Sequence, residues 1–163
     1  MASYSKIRRG VLDLKDMSRI FFDAVPDVEQ TFPKILNMLG EAVRDRAVSY
    51  LGVPQPPAHG GFPPWPSLSR ETLSNKKQKW PGTPLYETGR LARSIDYEIL
   101  SENEVEVGTD VLSDRGAPYG KYLEEGTSEM PPRPYLHPAA MEVVGEMVDV
   151  IGEAVVDGIF QQG

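Results

Sequence analysis

Apolar positions change their spacing several times along this chain, and each change marks a different element. From Asp27 onward, Val28, Phe32, Ile35, Leu36, Leu39, Val43 and Ala47 recur at helical intervals, while Glu41, Arg44, Asp45 and Arg46 occupy the other faces. A dry face repeating about every 3.6 residues predicts an amphipathic helix. Pro33 lies inside the run. Either it sits in the first turn of a helix that starts there, or the helix begins near Pro26 and kinks.

The period disappears after Tyr50. The stretch LGVPQPPAHGGFPPWPSLS places six prolines and three glycines between Gly52 and Pro66, which excludes a regular helix or a central strand. An extended Pro/Gly-rich loop over 51–82 follows, and a loop this long in a compact domain is either a contact element or a linker. The period then falls to two: Ile95, Tyr97 and Ile99 share one face, Ser101 to Glu104 form a polar turn, and Val105 and Val107 return. That alternation predicts a β-hairpin with one buried face. A third short strand is expected at Tyr119 to Glu124, ended by Gly126, whose missing Cβ permits a tight turn.

Helical spacing resumes between Pro138 and Phe160, through Met141, Val144, Met147, Val148, Ile151, Val155 and Ile159. Two long amphipathic helices on a small antiparallel β-sheet, plus the proline-rich loop, make an α+β fold. The expected organisation is an N-terminal arm over 1–25, carrying Lys6, Arg8 and Arg9, and one domain over 26–163.

Composition narrows the functional classes. A length of 163 residues suits one core. The 17 basic and 24 acidic side chains give a net charge of −7, which argues against capture of DNA through phosphate neutralisation. No cysteine is present, so disulfides, thiolate metal sites and cysteine nucleophiles are excluded, and a reducing cytoplasm is the expected setting. Asp13, Lys15, Asp16 and Arg19 interrupt the N-terminal apolar positions, so neither a signal-peptide core nor a membrane span is expected.

Catalytic signals are sparse. His59 lies in the proline loop and His137 between Leu136 and Pro138, neither beside a ligand-spaced partner. A hydrolase using either histidine is the weakest of the functional readings. Glu124 and Glu125 are adjacent; in a strand they point to opposite faces and read as a solvated strand end rather than an acid–base pair. GTPLYETG and VGTDVLSDRG lack the lysine and the strand-to-helix setting of a phosphate loop. No cofactor and no metal are expected.

On the second helix, Glu142, Glu146, Asp149, Glu153 and Asp157 recur every three or four residues as one acidic stripe, and no Lys or Arg follows His137. The stripe is either a solvated face, a surface for a basic partner, or the lining of a channel from which DNA is repelled. Gly145, Gly152 and Gly158 weaken the same helix, as if another backbone approached it closely.

Three segments in order carry a resemblance: Trp65 to Ser69, Thr88 to Ile95, and Gly126 to Tyr135. With the flanking amphipathic helices, the chain resembles the neck and tail-completion proteins of long-tailed bacteriophages, also called virion morphogenesis or head–tail joining proteins. The likeness spans roughly residues 60 to 140, with Pro66 and Ser67 intervening before Leu68.

The resemblance implies a structural protein rather than an enzyme, located in the virion neck and in the host cytoplasm during assembly. It implies a homo-oligomeric ring, expected to be a hexamer, that contacts the tail tube protein and the head-side connector proteins. DNA would pass through without specific binding, and no membrane would be involved. A head-side closure protein of the same neck is the alternative. A nucleic-acid or ligand binding module, with a pocket formed by the proline loop and Arg133, is a further one.

The residues expected at interfaces are Trp65, Trp80, Arg90, Glu125, Arg133 and Tyr135. The two tryptophans either anchor a partner or tuck over the core. Arg90 is either free for an intersubunit carboxylate or part of a simple turn at the hairpin entry. Pro131, Pro132 and Pro134 fix backbone angles around Arg133 and Tyr135, making a stiff crossover that serves either an internal or an intersubunit contact.

Overall fold

The computed structural model describes residues 28–53, 61–76 and 84–160, with side-chain surroundings given for 33–53, 61–76 and 84–150. The arm over 1–25, together with His59 and Trp80, lies outside the described residues.

Helix α1 (Val28–Tyr50) is the element on which the rest packs. Leu36, Gly40, Val43, Ala47 and Tyr50 come in steps of three or four and are all buried, as a single apolar stripe requires. Pro33 falls within the helix, which begins upstream of it. Of the two starts compatible with the sequence, the earlier one is found.

Strands β1 (Asp96–Ser101) and β2 (Glu104–Gly108) form an antiparallel hairpin on α1. Tyr97 pairs with Val107 and Ile99 with Val105, which places the expected apolar face against the helix. Gly40 makes this approach possible, because a Cβ there would lie 2.5 Å from Tyr97 Cδ2. The register slips between Ile99 and Ser101, so Leu100 has no cross-strand partner; it shares the outward face of β1 with Asp96 and Glu98 and is 48 % exposed.

Three short helices connect the long ones. Helix α2 (Arg70–Asn75) interrupts the proline-rich loop and starts at Ser69, whose Oγ accepts from Thr72 N–H at 3.1 Å, an N-cap bond. Helix α3 (Arg90–Ser94) follows Gly89, which sits at φ +73°, a left-handed position that glycine adopts without strain. Thr88-Gly89-Arg90 therefore opens a helical turn before the hairpin rather than entering it directly.

The expected third strand is instead helix α4 (Tyr119–Glu125), so the sheet has two strands among the described residues. Tyr119 and Leu123, four apart, both pack against the core, as one turn of a helix allows. Gly126 ends α4 at φ +76°, where its N–H donates to Tyr122 O at 2.9 Å.

Helix α5 (Leu136–Phe160) packs along α1, completing an α+β fold of two long helices and a small antiparallel sheet. Its orientation differs from the expected one. Ala139 and Val143 are buried, whereas Met141, Val144 and Val148 are 53 %, 47 % and 62 % exposed. The larger apolar residues look outward, while the opposite face, bearing Glu142 and Glu146, meets Arg46 of α1.

Candidate functional site

The connector from α4 to α5 is where the three sequence motifs meet. Trp65 Nε1–H donates to Pro134 O at 2.9 Å. In return, Arg133 Nη2 donates to Pro66 O at 3.2 Å and Ser67 O at 3.3 Å. Arg133 N–H donates to Leu123 O at 2.7 Å, and Thr127 N–H to Met130 O at 2.8 Å. Gly126 permits this fold-back: a Cβ on it would lie 2.8 Å from Pro132 N. The prolines limit the backbone while these bonds hold it from three sides.

Glu124 closes the N-terminus of α5 from another helix. Its Oε2 accepts from Tyr135 N–H at 2.7 Å and Leu136 N–H at 3.0 Å, and its Oε1 from His137 N–H at 2.9 Å. Amides at a helix start lack intrahelical partners and carry the positive end of the helix dipole, so a carboxylate serves both needs. Glu124 is thus a structural cap rather than a solvated strand end. Tyr135 is fully buried, and its hydroxyl donates to Gly120 O at 3.4 Å. Burial, then Glu124 and Tyr119, push that phenol above its ordinary pKa.

Beside this joint lies a cavity of about 500 Å³ lined by residues of all three motifs. Ser67, Leu68 and Ser69 come from the first, Thr88 to Leu91 from the second, and Met130, Pro131 and Arg133 from the third. Arg133 is only 6 % exposed, its Nε has no hydrogen-bond partner, and no carboxylate lies within ion-pair distance among the described residues. Burial lowers its pKa. A guanidinium held in such a place by two backbone carbonyls keeps an unmet demand for an anion.

The candidate interface residues divide into two groups. Trp65, Arg133 and Tyr135 are interior, and the hydrogen bonds that Trp65 and Arg133 make lie within their own subunit. Arg90 and Glu125 are exposed: Arg90 Nη1 lies 3.4 Å from Asp114 Oδ1, and Glu125 Oε2 lies 3.9 Å from Lys121 Nζ. Trp80 lies outside the described residues.

The acidic stripe also divides. Arg46 Nη1 donates to Glu142 at 2.6 Å and Nη2 to Glu146 at 2.9 Å, while Tyr50 donates its hydroxyl to Glu142 at 2.7 Å. The compensating cation thus comes from α1, which a scan of α5 alone does not find. Burial draws the Arg46 pKa down, but both carboxylates outweigh this and the net shift is upward. Burial, then Glu142, hold Tyr50 well above its usual range. Asp149 is exposed. Glu153 and Asp157 lie on α5 in the part whose side-chain surroundings are not described.

Gly145 faces open space, with nothing within 4 Å of a Cβ placed on it. Among the described residues no second backbone comes that close to α5 there. The ring of His137 lies 5.1 Å from that of Phe62, tilted by 60°. Among the described residues no group of three or more His, Asp or Glu is placed to hold a metal, and no helix is long and apolar enough to cross a membrane. Comparison with protein-family models, with curated proteins and with solved structures finds no match.

Proposed function

We propose that this chain is a structural protein of the head–tail interface of a long-tailed bacteriophage. In this reading it is a tail-completion or tail-terminator ring that caps the tail tube and joins it to the capsid connector. The observation that carries the reading is the convergence of the three motifs. Of the segments that resemble neck proteins, the first and third, far apart in sequence, interlock through Trp65 and Arg133, and all three line one cavity.

The outer face of α5 supports assembly. Met141, Val144 and Val148 stand at steps of three and four and are exposed together, a stripe that a partner surface would cover. The hairpin adds sheet edges on which a strand of another subunit can build. A net charge of −7 suits a ring through which DNA passes without sticking.

Native mass spectrometry and negative-stain imaging of the full chain, alone and with tail tubes, test the proposal. Closed rings, sixfold like the tail beneath them, or density at tail ends are expected. A chain that stays monomeric and leaves tail ends undecorated overturns it.

A further inference from the structure

Resting on the ring reading, we infer that the cavity beside Arg133 is a subunit socket. It receives the carboxylate of Glu104, with Leu100 beside it, from the hairpin end of the neighbouring copy.

The socket's chemistry is written in its walls. Leu68, Leu85, Leu91, Leu123 and Met130 line the cavity, and Arg133 adds a buried cation to them. Two other cations line it, each beside an acid of its own: Lys76 lies 3.7 Å from Glu87 and the exposed Arg90 3.4 Å from Asp114. Glu87 and Glu129 also line the cavity, but neither reaches ion-pair distance of Arg133. The group that fits is a carboxylate joined to an apolar neighbour, and none of the described residues of this protomer supplies it.

The hairpin end has that composition. Leu100 follows Asp96 and Glu98 on the outward face of β1 and is 48 % exposed, and Glu98, Glu102 and Glu104 around it are exposed as well. At about 3.4 Å per residue, the tip stands about 17 Å from Asp96 at the hairpin base.

A closed ring needs two different surfaces on each copy that fit one another. The positive, apolar-walled socket and the acidic, leucine-bearing tip meet that requirement by charge and by apolar content. Opposite charge across such a contact also fixes its register.

The absence of cysteine makes the test clean. Glu102→Cys in one preparation and Thr88→Cys, on the cavity wall, in another are mixed and treated with a short bismaleimide, alongside native mass measurement. Glu102→Cys mixed with Asp149→Cys is the control.

The expected result is a cross-linked dimer from the first mixture only, reduced at least tenfold when the Glu102→Cys copy also carries Leu100→Ser and Glu104→Lys. These exposed positions leave folding intact, so the outcome does not depend on a buried Arg133 variant. Rings that form without this cross-link, or that survive the tip changes, overturn the socket and leave the ring reading standing. A chain with neither rings nor cross-link overturns both.

Discussion

Glu124 holds His137 by its backbone: one carboxylate oxygen accepts the His137 amide while the other takes those of Tyr135 and Leu136. A residue of a seven-residue helix thereby starts a helix of 25 residues. Replacing Glu124 by Ala strands three amides at once. A loss of about 2–3 kcal/mol is expected, at the upper end for a helix cap because the bonds are charge-assisted. Urea unfolding of Glu124→Ala beside Glu124→Gln checks this; the amide, which keeps one acceptor oxygen, is expected to recover part of the loss.

Arg46 lies between two glutamates that repel each other without it. Arg46→Ala is expected to lower stability by about 1–2 kcal/mol, a modest figure because all three side chains are partly solvated. In the background Glu142→Gln with Glu146→Gln the same change should matter much less. A double-mutant cycle by denaturant unfolding reads the difference.

Two tyrosines give the fold an upper pH limit. Tyr50 and Tyr135 have folded pKa values raised above the unfolded value of about 10. Stability from their neutral forms is therefore complete below about pH 10 and is lost as pH rises past it, because the unfolded chain releases those protons first. Melting temperature measured from pH 8 to 11 should fall more steeply in the wild type than in Tyr50→Phe.

Under the proposed ring reading, the outer stripe of α5 lets folding and assembly be tested separately. Val144→Asp places a charge on an exposed surface, so monomer stability should change by less than about 0.5–1 kcal/mol. Ring formation, read by native mass, should be abolished. Gly145→Ala meets open space, and should stabilise the isolated chain by up to about 1 kcal/mol. A ring lost in this variant too would mark Gly145 as a point of close subunit approach.

The hairpin's seat on α1 is equally specific. A Cβ at Gly40 would meet Tyr97 Cδ2 at 2.5 Å and Cγ at 2.7 Å, so Gly40→Ala must displace the ring or the strand. A loss of about 1–3 kcal/mol is expected. Gly40→Ala combined with Tyr97→Leu should recover part of it, as thermal unfolding of the pair will test.

Elements whose pattern is local were legible in the sequence. The α1 stripe through Leu36, Val43 and Ala47 and the hairpin faces through Tyr97, Ile99, Val105 and Val107 lie where their spacing puts them. Tyr119 to Glu125 was not legible as a helix, because seven residues with apolar groups at 119, 122 and 123 fit either period. The rotation of α5 escaped for a different reason. Its apolar spacing is genuine, but the arginine that pairs with its acidic face lies about a hundred residues away.

At the connector, the stiffness of the Pro131 to Pro134 stretch was readable, while its purpose was not. Aromatic and cationic residues between prolines look like surface anchors, and nothing local shows that Trp65 and Arg133 exchange hydrogen bonds with each other's backbone neighbours. The cap from Glu124 leaves no local mark either, since its partners lie 11 to 13 residues further on across a turn.

That joint also bears on how the chain reaches its native state. Trp65 bonds a carbonyl 69 positions away, so the contact forms only after a large loop has closed, against a chain entropy that short-range helix formation does not face. Helical circular dichroism should accordingly recover early in refolding and tryptophan emission late. During that interval the segment that later walls the cavity stays open to water, and a copy must finish folding before it can offer a neighbour anything to hold.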